Sequence, residues 1–576
     1  GLIATDGKSK ITNLTESGFN DASAKWVLGG KAMIWQSNKD GLKSVAQSGS
    51  TQKDVYALFF SKEAYEKFNL SKEDYALLKE IEEQKTKADS TKKKADKKDS
   101  VAIDWDGLDT RKIKLTIHSS NLADVLLSKD GETLFYLAKF EKGHNLWSTN
   151  IRTKETKMLV QLNSNGGSMQ WDKEQKNIFV NSNGNIIKVD ASSGKQETIR
   201  FSSEIMVDVV AERAFMFEHV WRRTKTTFYT QTMHGANWDA LKTDYQKFLP
   251  HISNNYEFTE MLSELLGELN VSHSGASFNN MSSTGDATAS LGIFIDYNFK
   301  GSGIKINEII HNGPLDKAEL DVKAGMIIEA IDGESITNDK DVAYYLNRKA
   351  GKTTLLTISN GAVKKDIAVK PIALNEQNDL LYKRWVKKNQ DEVEKQSNGQ
   401  LGYVHIPGMS DGVFRNTYED VMGKYVNKKG IVIDTRFNGG GDLVADLAMF
   451  LSGKKFMDYT TDTRSNGFEP NFRWTKPNIS LVNEANYSDG HCYAFMIAEL
   501  KLGKLVGMPV PGTCTFAAWE SLIDYSIRWG VPPLGCKTVS GLYLENSQTN
   551  PDIQIMNNYE QIINGKDQQL ETAIKE

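Results

Sequence analysis

The stretch Ile479-Ser480-Leu481-Val482-Asn483-Glu484-Ala485-Asn486-Tyr487-Ser488-Asp489-Gly490-His491-Cys492-Tyr493-Ala494-Phe495-Met496-Ile497-Ala498 decides how the chain folds. Its first four residues are a short apolar run that reads as a buried strand. Residues 492–498 carry apolar side chains at helical spacing. Between them, 486–491 form a small polar turn. Such a turn presents a side chain and free backbone N–H groups at a helix N-terminus, where developing negative charge is stabilised. Ser488 is therefore a candidate nucleophile on a strand–turn–helix elbow. The alternative is that Ser488 or Asp489 serves only as an N-cap.

Working outward, the 430–441 stretch Gly430-Ile431-Val432-Ile433-Asp434-Thr435-Arg436-Phe437-Asn438-Gly439-Gly440-Gly441 opens with a run apolar on both faces, which predicts a central strand. The glycines after it let the backbone approach a ligand closely. A phosphate loop would end in Gly-Lys-Ser/Thr, and that ending is absent. An oxyanion-donor loop fits instead. With the helix predicted over 379–394 and the strand over 401–407, the last 200 or so residues read as α/β.

The rest of the chain divides by pattern. Units of strand, polar turn and strand recur at 24–35, 124–136 and 170–180, with a further strand over 54–60. A spacing of roughly 40–50 residues is that of β-propeller blades. About three blades are too few for a closed ring, and a plain antiparallel sandwich is the alternative. The 61–100 segment changes character: a helix over 71–83, then seven lysines between Lys85 and Lys98 with no aromatic interleaved. That composition fits a solvated insertion rather than an RNA-binding segment. Three amphipathic helices are predicted over 209–224, 238–248 and 258–269, and the last exits into Ser272-His273-Ser274-Gly275.

Composition bounds the function. The 576 residues are 39% hydrophobic and 25% charged with a net charge of −4, giving no reason to expect a nucleic acid or anionic membrane as partner. No apolar run reaches the roughly 18 residues of a membrane span. Cys492, Cys514 and Cys536 are an odd number whose spacing fits neither a zinc cluster nor a disulfide framework. They are expected to be inert, and no metal is expected. Such cysteine usage suits the cytoplasm, with the periplasm as alternative. The chain begins at Gly1, as a processed product or a fragment would.

Residues 288–373 carry Gly313-Pro314-Leu315, Ala318 and Gly325-Met326-Ile327-Ile328-Glu329-Ala330-Ile331-Asp332-Gly333, which resembles the permuted PDZ domains of bacterial proteases. PDZ domains bind extended peptide ends by strand addition, so the resemblance implies a polypeptide substrate. The whole order, propeller blades, helices ending in Ser-His, PDZ, "IDTRFNGGG", "YSDG" and "ENSQTNPDI", resembles the tricorn proteases within the tail-specific serine peptidases. That resemblance implies a multidomain fold: a partial β-propeller (1–60 and 101–204), a charged helical or disordered insertion (61–100), a helical domain (205–287), a PDZ domain (288–373) and an α/β peptidase core (374–576).

Carried over by residue, the resemblance implies Ser488 as nucleophile, His273 as general base, Ser272 as an orienting hydroxyl and Glu545 as the acid. Gly440, with Gly439 and Gly441 as neighbours in doubt, and Asp489 would supply the oxyanion N–H donors. It implies a cofactor-free peptidase acting on peptides or unfolded tails, and admits a homo-oligomer. No lysine occurs between Leu505 and Cys536, which disfavours a Ser–Lys dyad. The rival readings are a catalytically inactive PDZ-and-propeller scaffold and a nucleotide-dependent α/β enzyme using the glycine loop.

Overall fold

The computed structural model describes residues 1–41, 52–88, 101–279, 285–361 and 363–576. It comprises two compact units, Gly1–Met206 and Val207–Glu576. Among the described residues no helix is long and apolar enough to cross a membrane.

The first unit holds three four-stranded antiparallel sheets, each a meander with neighbouring strands hydrogen-bonded. The second sheet explains why its sequence is so continuously apolar. Along Thr133–Lys139, Leu134, Tyr136 and Ala138 pack with Ile34, Val55 and Phe59 of the first sheet. Phe135 and Leu137 point the other way, onto Ile178 and Val180 of the third. Side chains alternate with a period of two, so a strand covered on both faces needs apolar residues at every position. This is blade-on-blade packing, a partial propeller. Asp124 adds a polar tie: its carboxylate takes hydrogen bonds from Lys25 Nζ and from the N–H of Met169. The charged insertion interrupts a blade rather than separating two, because Lys112–Lys114 pairs with Asp54–Phe59 across it. The segment begins as helices Lys62–Asn69 and Lys72–Ala88; the lysine run beyond residue 88 lies outside the described residues.

The second unit opens with α1 (Val209–Thr227), α2 (Trp238–Gln246) and α3 (Asn255–Gly267). Each starts at an Asp or Asn whose side chain accepts from a first-turn N–H. Phe217, Val220, Phe258, Leu262, Leu265 and Leu266 close their core around Trp529 from far along the chain. Just past α3, Gly275–Phe278 pairs antiparallel with Ile527–Gly530. That pairing sews the end of α3 to the last third of the chain. The PDZ region follows as an antiparallel sheet of Ile293–Ile295, Ile304–Ile309, Ile327–Ile331, Thr354–Ser359 and Lys364–Val369.

The final region begins with the long helix α4 (Leu374–Gln396) and builds a five-stranded parallel sheet. Its strands are β1 (Leu401–His405), β2 (Gly430–Asp434), β3 (Asn478–Val482), β4 (Lys504–Gly507) and β5 (Ile553–Gln554), in that spatial order. As predicted, β2 and β3 are interior strands. Helices α5 (Val444–Leu451) and α6 (Asp489–Leu500) follow β2 and β3 and pack together. The loops after β2 and β3 thus meet at the carboxyl edge of the sheet, where open parallel sheets place their sites.

Candidate active site

Ser488 sits immediately before α6 with φ 57° and ψ −125°, a conformation sparsely populated by residues other than glycine. Its side chain makes no capping bond, so the N-cap alternative fails. A non-glycine residue holds such a conformation only where its surroundings over-determine it, and here they do. The Tyr487 N–H donates to the Asn438 carbonyl at 2.9 Å. The Ser488 N–H donates to Thr513 Oγ1 at 3.0 Å. Buried Asn486 donates to the Thr435 carbonyl at 2.8 Å and accepts from the Asn483 N–H at 2.9 Å. The nucleophile turn and the glycine loop are therefore one hydrogen-bonded body.

Gly440 lies so close to that turn that a Cβ on it would fall 2.5 Å from the Ser488 Cβ. The Gly440 N–H, expected as the second oxyanion donor, instead donates to Asn438 Oδ1 at 2.8 Å. Among the described residues the N–H groups of Gly441 and Asp489 have no acceptor. The reason is local: Met409 pairs with the backbone on both sides of Gly441, leaving that one N–H unused. The Asp489 carboxylate also has work of its own. It is buried and accepts from the N–H groups of Leu443 at 2.6 Å and Val444 at 3.1 Å, tying α6 to the start of α5.

The other half of the site comes from distant segments. His273, with φ 58° just past α3, is buried, and its N–H donates to the Tyr487 hydroxyl at 2.8 Å. Its Nδ1 lies 2.8 Å from Ser272 Oγ. That hydroxyl donates to Glu545 at 2.9 Å, and the Ser272 N–H donates to the same carboxylate at 2.6 Å. With Ser272 giving its only proton to Glu545, it can only accept from His273, which puts the imidazole proton on Nδ1 and leaves Nε2 a lone pair. Burial holds the His273 pKa below its ordinary value. Burial also raises that of Glu545, opposed by its two bonds from Ser272.

Thr515 was not singled out by the sequence. Its Oγ1 lies 2.9 Å from His273 Nδ1 and 3.0 Å from Ser272 Oγ. A threonine in the two-residue strand Thr515–Phe516 carries no pattern that would have flagged it. His491, part of the motif but given no role, is fully buried; its Nδ1 accepts from the Thr513 N–H at 3.1 Å. Burial pushes its pKa down to about 4.

Ser488 and His273 line one cavity of about 780 Å³ with Gly441, Asp489 and Thr515. No hydrogen bond joins Ser488 to His273 in this structure; such bonds often close only around substrate. Away from Ser488 the wall is apolar, with Val444 and Ala448 of α5 facing Phe495 and Met496 of α6. The cysteines depart from the sequence expectation. Cys492 and Cys514 form a disulfide with Cα atoms 5.7 Å apart, and only Cys536 is free. Their sequence separation of 22 residues is uninformative because the parallel pairing of β3 with β4 brings the two loops together. A disulfide-bonded Cys492 or Cys514 has no thiolate, so neither is a nucleophile in this state.

Three segments of the chain match known protein families. Residues 209–267 match the tricorn protease C1 domain, 302–374 the tricorn protease PDZ domain and 400–555 peptidase family S41. A putative tricorn-like protease C-terminal subunit from Sulfurisphaera tokodaii is 27% identical over 449 residues, 73% of this chain and 50% of that protein. The tricorn protease of Thermoplasma acidophilum is 24% identical over 440 residues, 73% of this chain and 40% of its own length. The chain thus spans about half the length, or less, of these relatives. A crystal structure of the tricorn protease superimposes with a TM-score of 0.78 at 18% identity, over 99% of this chain and 56% of that one, which shows the shared fold. A tricorn C1 domain, a tricorn PDZ domain and a family S41 peptidase domain are thus matched in that order, and the chain is similar to the tricorn proteases over most of its length.

Proposed function

We propose that the chain is a serine peptidase whose nucleophile is Ser488. The observation that carries this reading is the relay from His273 through Ser272 to Glu545, ending in the cavity that Ser488 also lines. A serine hydroxyl is a weak nucleophile and needs a base. His273 Nε2 takes the Ser488 proton as Oγ attacks the peptide carbonyl, and later gives it to the leaving amine. The imidazolium formed in between is stabilised through Ser272 by the Glu545 carboxylate. The N–H groups of Asp489 and Gly441 hold the oxyanion. Each such donor is worth about 3–4 kcal/mol of transition-state stabilisation.

The substrates proposed are peptides or unfolded tails that the PDZ domain brings in by strand addition. The apolar wall suits a large apolar side chain next to the scissile bond. The domain limits proposed are those expected from the sequence, with the first blade continued across the insertion. The disulfide favours an oxidising compartment such as the periplasm over the cytoplasm. The test is Ser488→Ala, which should lower peptide hydrolysis by roughly 10⁶-fold and abolish labelling by a fluorophosphonate probe. A folded Ser488→Ala chain that still cleaves peptides would overturn the assignment. Wild-type protein that neither labels nor cleaves would favour the inactive scaffold.

A further inference from the structure

The mechanism leaves one cluster unused. The three cysteines are the only ones in the chain, and their sulfurs lie within 4.8 Å of one another. They come from three segments: Cys492 from the first turns of α6, Cys514 from between Thr513 and Thr515, and Cys536 from the stretch leading to Glu545. All three line the cavity of Ser488 and His273.

We propose that reduction of the Cys492–Cys514 disulfide creates a three-thiolate site for one thiophilic divalent cation, such as Cd²⁺ or Zn²⁺, and that the bound cation closes the cavity beside Ser488. The geometry is near what such a cation needs. A Zn–S bond of about 2.3 Å in a tetrahedron sets sulfurs about 3.8 Å apart, within reach of side-chain rotation from the present separations. Sulfur ligands select soft cations over Mg²⁺ or Ca²⁺. Electrostatics favours a cation as well: the lining includes Asp442, Asp489 and Glu499 and no lysine or arginine.

The chemistry balances with a phosphine as reductant. The phosphine attacks one disulfide sulfur and is hydrolysed to its oxide, taking oxygen from water. The disulfide gains two electrons and two protons and becomes two thiols. Three thiols then face one point, and the cation displaces their protons on binding. The site itself stands apart from the peptidase reading; its blocking effect rests on that reading.

The full chain is reduced with a phosphine, freed of it without air, and titrated with Cd²⁺ while the ultraviolet thiolate-to-cadmium charge-transfer band is followed. Because the chain has no other cysteine, the band reports this site alone. Expected are saturation at a single equivalent in the reduced chain, no band in the oxidised chain, and affinity lower by about 100-fold in Cys536→Ser, which loses a ligand. Cys536→Ala serves if the serine disturbs the fold. Absence of the band after reduction, or a Cys536 variant that binds as tightly as the wild type, overturns the site. Cd²⁺ should also suppress fluorophosphonate labelling of Ser488 by at least about 10-fold in the reduced chain only. A bound cation with labelling intact overturns the blocking effect. Failure of the metal-free wild type to label overturns the peptidase reading instead, and the site is then judged on the band.

Discussion

The two halves of the site are built differently. The nucleophile half is built on the sheet: Ser488, Asp489 and the glycine loop lie at the ends of adjacent parallel strands, held by hydrogen bonds to backbone groups, the other partner being backbone or a side chain of Asn438, Asn486, Asp489 or Thr513. The base half is long-range. Ser272 and His273 follow a helix, Glu545 lies 273 residues further on from Ser272, and Thr515 lies between. Hydroxyls and one carboxylate join these pieces. A backbone-held half should fail abruptly when space is taken from it, whereas a side-chain relay should fail by degrees. That contrast can be broken or sharpened by substitution.

Short of removing the nucleophile itself, the largest effect is expected from Gly440→Ala. At φ +91° and with its new Cβ 2.5 Å from the Ser488 Cβ, the substitution must push the turn away. Misplacement of about 1 Å costs roughly 100-fold or more, so kcat should fall at least that far, with probe labelling lost in parallel. Retained labelling would show that the loop yields and that the nucleophile half is not rigid. Glu545→Gln should be next. It keeps the shape but removes the charge that stabilises the imidazolium; because Ser272 stands between, the loss should be about 10²-fold in kcat, less than the roughly 10⁴-fold of a directly bonded acid. An unchanged kcat would remove Glu545 from the relay.

Thr515→Val is the milder test of the same half. It removes one of two hydroxyls on His273 Nδ1, a bond worth about 1 kcal/mol, so kcat should fall about fivefold with KM nearly constant. Loss on the scale of Glu545→Gln would make Thr515, rather than Ser272, the link to the carboxylate.

The most gradual effect concerns pH. Burial lowers the His273 pKa from 6.5, so the acid limb of kcat/KM should lie below the ordinary histidine value. His491 falls further, to about 4. A folded-state pKa below the unfolded one means that stability is fully present above pH 6.5 and is lost as pH falls toward 4. Up to about 3 kcal/mol is at stake for His491. His491→Asn should flatten Tm against pH over that window. An equally steep profile in the variant would assign the acid sensitivity elsewhere.

Legibility followed the same division. The strand–turn–helix around Ser488 shows in apolar spacing, because strands and helices impose periods of two and 3.6 on whatever they bury. The glycines after β2 show because close approach forbids a Cβ. His273 carried no pattern of its own; only the family resemblance linked it, with Ser272 and Glu545, to Ser488. Three features were invisible: Thr515, the tie of the Asp489 carboxylate to the Leu443 and Val444 N–H groups, and the pairing of Cys492 with Cys514.

The sequence by itself determined the strands, the helices and the residue types that the chemistry needs, since burial and backbone conformation are decided over a few neighbouring residues. Tertiary structure alone decided which N–H groups stay free beside Ser488, which hydroxyl links His273 to Glu545, and which two of three cysteines pair. Each of those outcomes depends on differences of an ångström or less in the distances between segments up to hundreds of residues apart. The parallel register of β2, β3 and β4 and the pairing of Gly275–Phe278 with Ile527–Gly530 set those distances. No local pattern records them.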